Sequence, residues 1–315
     1  MKIPYSFTFP EKESKKMLIG KLPDWSTYRL FFAQEKWLYI WQSTYIISQQ
    51  LSNPPFYIDL VEINTNDDVS IPFVVNSRQL LLYFMLDGSI SFSTPGGMSS
   101  EISKQHSFFI AIWDEGNYYL HVTKGKYTSL VICILPEWIA AISQNLPYLQ
   151  KILKMFKYDE IPYKLMYQCK TDKQVIRWLD QIFRSTINNI GVLDGNLRKY
   201  ISYILEFYDS KIGVDEDSLA HRVKVYIEAH YSEADLNVKF LADYFAVTER
   251  TLLNHFKRAY HTSVQIFYTH LRMRKALQLE SEGLRIKDIY SNVGYLDERT
   301  FRTAFKKYKM KVHGI

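Results

Sequence analysis

The feature that most constrains this chain is an internal repeat near its end. Val238–Ala259 aligns with Ile286–Tyr308. Val238 matches Ile286 and Phe245 matches Val293; the second copy then carries one extra residue. After it, Glu249-Arg250-Thr251 matches Glu298-Arg299-Thr300, and Phe256-Lys257 matches Phe305-Lys306. Each copy has the grammar of a helix-turn-helix. A short helix presents Leu241 and Phe245, or Ile289 and Val293, toward a core. A tight turn follows at Ala246-Val247 or Gly294-Tyr295, where glycine takes a positive φ more cheaply than alanine. Thr248 and Asp297 stand where N-caps are expected. Apolar residues then recur four apart, Leu252 with Phe256 and Phe301 with Phe305, and anchor each second helix along one face.

The opposite face of each second helix is polar or basic. It offers Arg250, Asn254 and Lys257 in the first copy, and Glu298, Arg299, Arg302 and Lys306 in the second. A helix fits the major groove of DNA, where Arg pairs bidentately with guanine and Asn with adenine. Lys257, Lys306 and Lys307 lie further along their helices and suit phosphates. Between the copies, Val264–Glu280 is expected to be a helix that bridges the two heads and fixes their separation. Charge agrees with this placement. Residues 220–315 hold 17 Lys and Arg against 10 Asp and Glu, whereas the first 219 residues hold 22 against 23. The excess positive charge therefore sits in the last third, which points to an acidic polymer as its partner.

On these residues the segment 221–315 resembles the DNA-binding domain of the AraC/XylS family of transcription regulators. The resemblance is carried by Leu241-Ala242, Thr248, Leu252, Phe256-Lys257, Arg272, Ala276, Ile286, Ile289, Gly294-Tyr295, Asp297, Phe301 and Phe305-Lys306-Lys307. It implies seven helices, two of them recognition helices, with double-stranded DNA as partner. It places base-reading positions at Arg250, Leu253 and Asn254, then at Glu298, Arg299, Arg302 and Thr303. Three places depart from the family pattern: His261 stands for a glycine, Tyr290 for a small residue, and Met310, Val312 and His313 for a Gly-x-Ser-Pro ending. These departures bear on how the last turn of the second head packs.

Upstream the pattern changes. In residues 1–135, short runs rich in Tyr, Phe, Ile and Val alternate with turn signals, as in Phe56–Ile63, Gln79–Leu86, Ser89–Ser93, Ser107–Trp113, Asn117–Val122 and Thr128–Leu135. Many short strands at such spacing predict a sandwich or barrel, with a hairpin through Asp87-Gly88. Residues 136–210 turn helical. Val175, Ile176, Leu179, Ile182, Phe183 and Ile187 share one face, and Leu197, Tyr200, Ile201, Ile204, Leu205 and Tyr208 another, with a break expected at Asp194-Gly195-Asn196. Residues 211–220, polar and acidic, are expected to be a linker. The fold class is thus α+β. The resemblance implies that the front is a cupin-like β-barrel with a helical hairpin used for homodimerisation, a sensor ahead of an all-α domain of two helix-turn-helix units.

A metal-dependent cupin enzyme would need converging imidazoles and carboxylates. The front offers His106 and His121, fifteen residues apart, with Glu101 and Asp114 nearby, and no His-x-His. No nucleophile motif or phosphate-cradling loop occurs, so neither catalysis nor a cofactor is expected. The many aromatic rings there, among them Trp37, Trp41, Tyr57, Tyr83 and Trp113, either line an effector pocket or pack a core. Cys133 and Cys169 form neither a disulfide framework nor a metal motif and suit buried thiols in a reducing compartment. The first twenty residues are charged and broken by Pro4 and Pro10, unlike a signal peptide. A cytoplasmic regulator that touches RNA polymerase and answers to a small molecule fits all of this. A nucleic-acid scaffold without sequence preference is the alternative.

Overall fold

The computed structural model describes residues 3–10, 14–95, 101–158, 163–216, 219–260 and 262–313. The chain divides into two compact units, Met1–Ile212 and Gly213–Ile315.

The first unit is built on two antiparallel sheets. One orders β1 (Tyr5–Phe7), β6 (Val69–Val75), β11 (Gly116–Val122), β8 (Ile90–Ser93) and β9 (Glu101–Ser103). The other runs from β13 (Tyr163–Leu165) through β10 (Ser107–Trp113), β7 (Gln79–Asp87), β12 (Gly125–Ile134), β5 (Phe56–Thr65), β4 (Thr44–Asn53) and β3 (Glu35–Trp41) to β2 (Ser14–Leu18), with β14 (Cys169–Lys170) also pairing β10. The central strands of the larger sheet are mostly apolar because both their faces are covered. Side chains alternate across a sheet, so parity sorts them into two cores. In β5, Tyr57, Val61 and Ile63 join the core shared with the smaller sheet, while Phe56, Ile58 and Leu60 face a helical layer. β7 divides likewise, Leu81, Tyr83 and Met85 against Leu80, Leu82 and Phe84.

The helical layer comprises α1 (Pro136–Ile142), α2 (Pro147–Tyr158), α3 (Lys173–Phe183) and α4 (Ile190–Glu216). Val175, Leu179 and Ile182 of α3 and Leu193, Leu197, Ile201, Ile204, Leu205 and Tyr208 of α4 are buried against the larger sheet. Both cysteines are buried, Cys133 in the inter-sheet core and Cys169 under the helices.

Five local expectations are corrected. First, Asp87-Gly88 does not close a hairpin, because β7 and β8 lie in different sheets. Gly88, at φ +81°, carries the chain across while the Tyr127 ring lies against it, where a Cβ would collide. Second, Asp194-Gly195-Asn196 does not break a helix; it lies inside α4. The Asp194 carboxylate is held by Arg198 at 2.8 Å and Asn53 at 3.0 Å, and the Asn189 side chain instead accepts from the Val192 N–H near the start of α4. A glycine costs a helix about 1 kcal/mol, which the long buried face of α4 outweighs. Third, the polar stretch 211–220 is helical through Glu216 and again from Leu219, since Ile212 extends the buried face and propagation of a formed helix is cheap. Fourth, residues 136–210 also contain β13 and β14, which lengthen the sheet beside β10. Fifth, Ile176 and Ile187 face outward, 53% and 42% exposed.

The second unit contains six helices among its described residues: α5 (Leu219–His230), α6 (Val238–Tyr244), α7 (Glu249–Tyr260), α8 (Val264–Ser281), α9 (Ile286–Asn292) and α10 (Glu298–His313). They enclose two small cores. Val223, Ile227, Leu241, Leu252, Phe256 and Val264 form one, and Met273, Ala276, Ile289, Val293, Phe301 and Phe305 the other. The helix α8 feeds both, through Val264, Phe267 and Leu271 at one end and Met273, Ala276 and Leu277 at the other. The seventh helix implied by the family resemblance is not among the described residues. α10 continues to His313 because Met310 and His313 stand where a glycine and a proline would stop it. Lys309 fastens that extension to α8 by an ion pair with Glu280 at 2.9 Å. His261 lies outside the described residues.

Candidate nucleic-acid interface

The two repeats fold into two helix-turn-helix heads, α6–α7 and α9–α10. In each, the first helix ends in the same closure. The Val247 N–H donates to the Ala242 carbonyl at 2.9 Å and the Ala246 N–H to that of Asp243 at 3.1 Å. Tyr295 and Gly294 repeat this on Tyr290 and Ser291 at 3.0 and 3.2 Å. The paired bonds define a Schellman turn, whose penultimate residue adopts a left-handed conformation. Ala246 sits there at φ +53° and Gly294 at φ +77°. The second helices are capped as the sequence predicts. The Thr248 hydroxyl accepts from the Thr251 N–H at 3.2 Å, and the Asp297 carboxylate accepts from both the N–H and the hydroxyl of Thr300 at 2.6 Å. Those two bonds hold the Asp297 carboxyl below the usual carboxylate range.

Each second helix is anchored by two fully buried apolar side chains one turn apart, Leu252 and Phe256 in α7 and Phe301 and Phe305 in α10. The helical period then turns the intervening residues outward. Arg250, Asn254 and Lys257 are exposed at i, i+4 and i+7 along α7, and Arg299, Arg302, Thr303 and Lys306 form the same stripe on α10, with Lys307 exposed beside it. Leu253 is different: it is half-buried and packs on the first core. Glu298 and Arg302 are not independent, since one Glu298 oxygen accepts from Nε and Nη2 of Arg302, both at 2.6 Å. Arg299 stays exposed, and its carbonyl accepts from the Thr303 hydroxyl at 3.0 Å. Each head thus presents a cationic, donor-rich helix face of the width that enters a major groove.

The sequence of this region is similar to known proteins. Residues 241–310 match the family model described as a helix-turn-helix domain. The C-terminal domain of AraT, a response regulator from Geobacillus stearothermophilus, is 31% identical over 31% of this chain and 79% of its own length, with a TM-score of 0.29. The chain belongs to the AraC/XylS family. The C-terminal domain of the two-component response regulator YesN from Fusobacterium nucleatum is 29% identical over 27% of this chain and 90% of that one, TM-score 0.27. Apo ToxT from Vibrio cholerae aligns with 81% of this chain and 94% of its own at 12% identity, TM-score 0.35. A search of curated proteins gave no match. As an AraC/XylS member, the protein is a DNA-binding transcription regulator.

Within that AraC/XylS domain the structure adds one residue that pattern matching passed over. Leu296, the extra residue of the second repeat, is 84% exposed directly before the cap of α10. The insertion itself was the only signal for it.

The candidate metal ligands of the front unit are not brought together. His106 is exposed in a turn at φ +56°. His121 is held between the hydroxyls of Ser70 and Ser93 at 2.8 and 2.7 Å, and Asp114 pairs with Arg78 at 2.7 Å. Among the described residues no three His, Cys, Asp or Glu side chains cluster, and no helix is long and apolar enough to cross a membrane.

Proposed function

We propose that α7 and α10 enter two adjacent major-groove segments of one duplex and read its sequence. Arg250, Asn254, Glu298, Arg299, Arg302 and Thr303 reach base edges, with Leu253 at their margin; Lys257, Lys306 and Lys307 hold phosphates. The observation that carries this reading is the duplicated arrangement of buried anchor and exposed donor stripe on α7 and α10. Selection from a random duplex library tests it: two enriched half-sites about one helical turn apart are expected, and the absence of any enriched motif would favour a scaffold that binds without sequence preference.

The domains divide the labour. Residues 221–315 bind DNA, 136–210 carry a homodimer contact, 1–135 form the regulatory domain, and 211–220 join the parts. The dimer reading is supported by apolar side chains that α3, α4 and their connection leave exposed, Ile176, Ile187, Ile190 and Val192. Control by a small molecule is supported by polar atoms buried in the inter-sheet core, where Tyr57 Oη, Trp41 Nε1 and Trp113 Nε1 have no hydrogen-bond partner among the described residues. The protein works in the cytoplasm by binding rather than by catalysis, and contact with RNA polymerase converts occupancy into regulation.

A further inference from the structure

We infer that Arg272 is a positioning residue that sets the rotation of one reading head against the other and thereby the half-site spacing the protein accepts. The inference rests on the two-head reading above. Arg272 lies in the middle of α8, the helix shared by both cores, and is only 7% exposed despite its charge. A buried guanidinium is expensive unless its donors are used and its faces covered. Both conditions are met by groups from opposite heads. Nε donates to the Tyr231 carbonyl and Nη2 to the Glu233 carbonyl, each at 2.7 Å. These carbonyls belong to the connection from α5 into α6, which leads into the first head. The guanidinium also lies over the rings of Tyr268, at 5.1 Å, and Tyr295, at 5.6 Å. Tyr295 belongs to the turn of the second head.

The approach is close enough to demand glycine. A Cβ on Gly294 would stand 2.8 Å from both Arg272 Nη2 and the Ser232 carbonyl oxygen. The turn of the second head is therefore seated directly on the loop entering the first, with Arg272 inserted beside the contact. A single helix joining two heads would leave them free to twist about its axis. The planar fork of Arg272, bonded to one head and stacked on the other, removes that freedom. Lysine keeps the charge but cannot span two carbonyls while stacking on a ring.

The test uses the full chain and duplexes enriched by the wild-type protein, in three forms: the tandem site, the same site with altered spacing, and each half-site alone. Arg272→Lys should lose about tenfold on the tandem site and less than twofold on a single half-site, because loosened heads have a lower effective concentration for each other. The spacings accepted should broaden. Tyr295→Leu, which removes one stacking wall and leaves the carbonyl bonds, should shift the same two readouts in the same direction and carries the test alone if Arg272→Lys does not fold. Equal losses on tandem and single sites with an unchanged spacing preference would overturn the inference, as would no change at all. If the wild-type protein enriches only one half-site, it is the two-head reading that fails.

Discussion

Ala246 and Gly294 occupy equivalent places in the two heads and share a left-handed backbone, at φ +53° and φ +77°. The shared conformation is imposed by the Schellman closure that both make. Only one of the two residues suits it, since a Cβ strains that region by roughly 1–2 kcal/mol.

Ala246→Gly should therefore stabilise the first head. Relief of strain is partly offset by the freer unfolded chain, which leaves a gain of about 0.5–1 kcal/mol. Gly294→Ala should cost about 2–4 kcal/mol, since backbone strain adds to overpacking against Arg272 and Ser232. Hydrogen exchange of α6–α7 and α9–α10 measures both; equal effects at the two sites would contradict the structure.

Arg299 and Lys306 lie two turns apart on one stripe of α10 and should fail differently when truncated. Arg299→Ala should cost about 1–3 kcal/mol on the selected duplex and relax preference at one base pair. Lys306→Ala should weaken all duplexes alike and reduce the salt slope by about one. Titrations at several salt concentrations on selected and random DNA distinguish them. An equal loss of Arg299→Ala on both DNAs would place that side chain on phosphate.

Asp59 lies in the inter-sheet core, where Tyr5 Oη and Ser48 Oγ donate to its carboxylate, both at 2.7 Å. Burial pushes its carboxyl up to about 6 although those bonds oppose the shift. The folded chain therefore holds this proton more tightly than the unfolded chain. The resulting stability is fully present below about pH 4 and is lost as pH rises through about 6. The loss is on the order of 2–3 kcal/mol for a group raised by about two units. Asp59→Asn, which still accepts from Ser48, should flatten this slope. Urea unfolding of the first unit between pH 4 and 7 checks it; identical slopes in both proteins would refute a buried, titrating carboxyl.

Ile176 and Val192 are 53% and 59% exposed on α3 and α4. If these helices carry the dimer contact, replacing both with Glu should yield monomers at micromolar concentration without lowering the melting temperature. Sedimentation velocity gives the outcome directly: a wild-type monomer, or a variant that still dimerises, would exclude this face.

The repeat alone located both heads, their caps and their exposed donors. Those features follow from local rules: helical period, cap chemistry, and a turn that tolerates few residues. The strong strands β5, β7, β10 and β12 were legible for the same reason, being short apolar runs between turn signals. The interior fate of β3 and β4, the split of each central strand between two cores, and the crossing at Gly88 from one sheet to the other were decided by which surfaces the folded chain could cover. So was the continuity of α4 through Gly195, where burial of a long face outweighed a local breaker. Arg272 shows the division most sharply. The sequence offered it only as one residue of the family resemblance, and only packing that brought the Tyr231 and Glu233 carbonyls to one side and Tyr295 to the other turned that cation inward, because a charge can be buried only where distant parts of the chain converge to satisfy it.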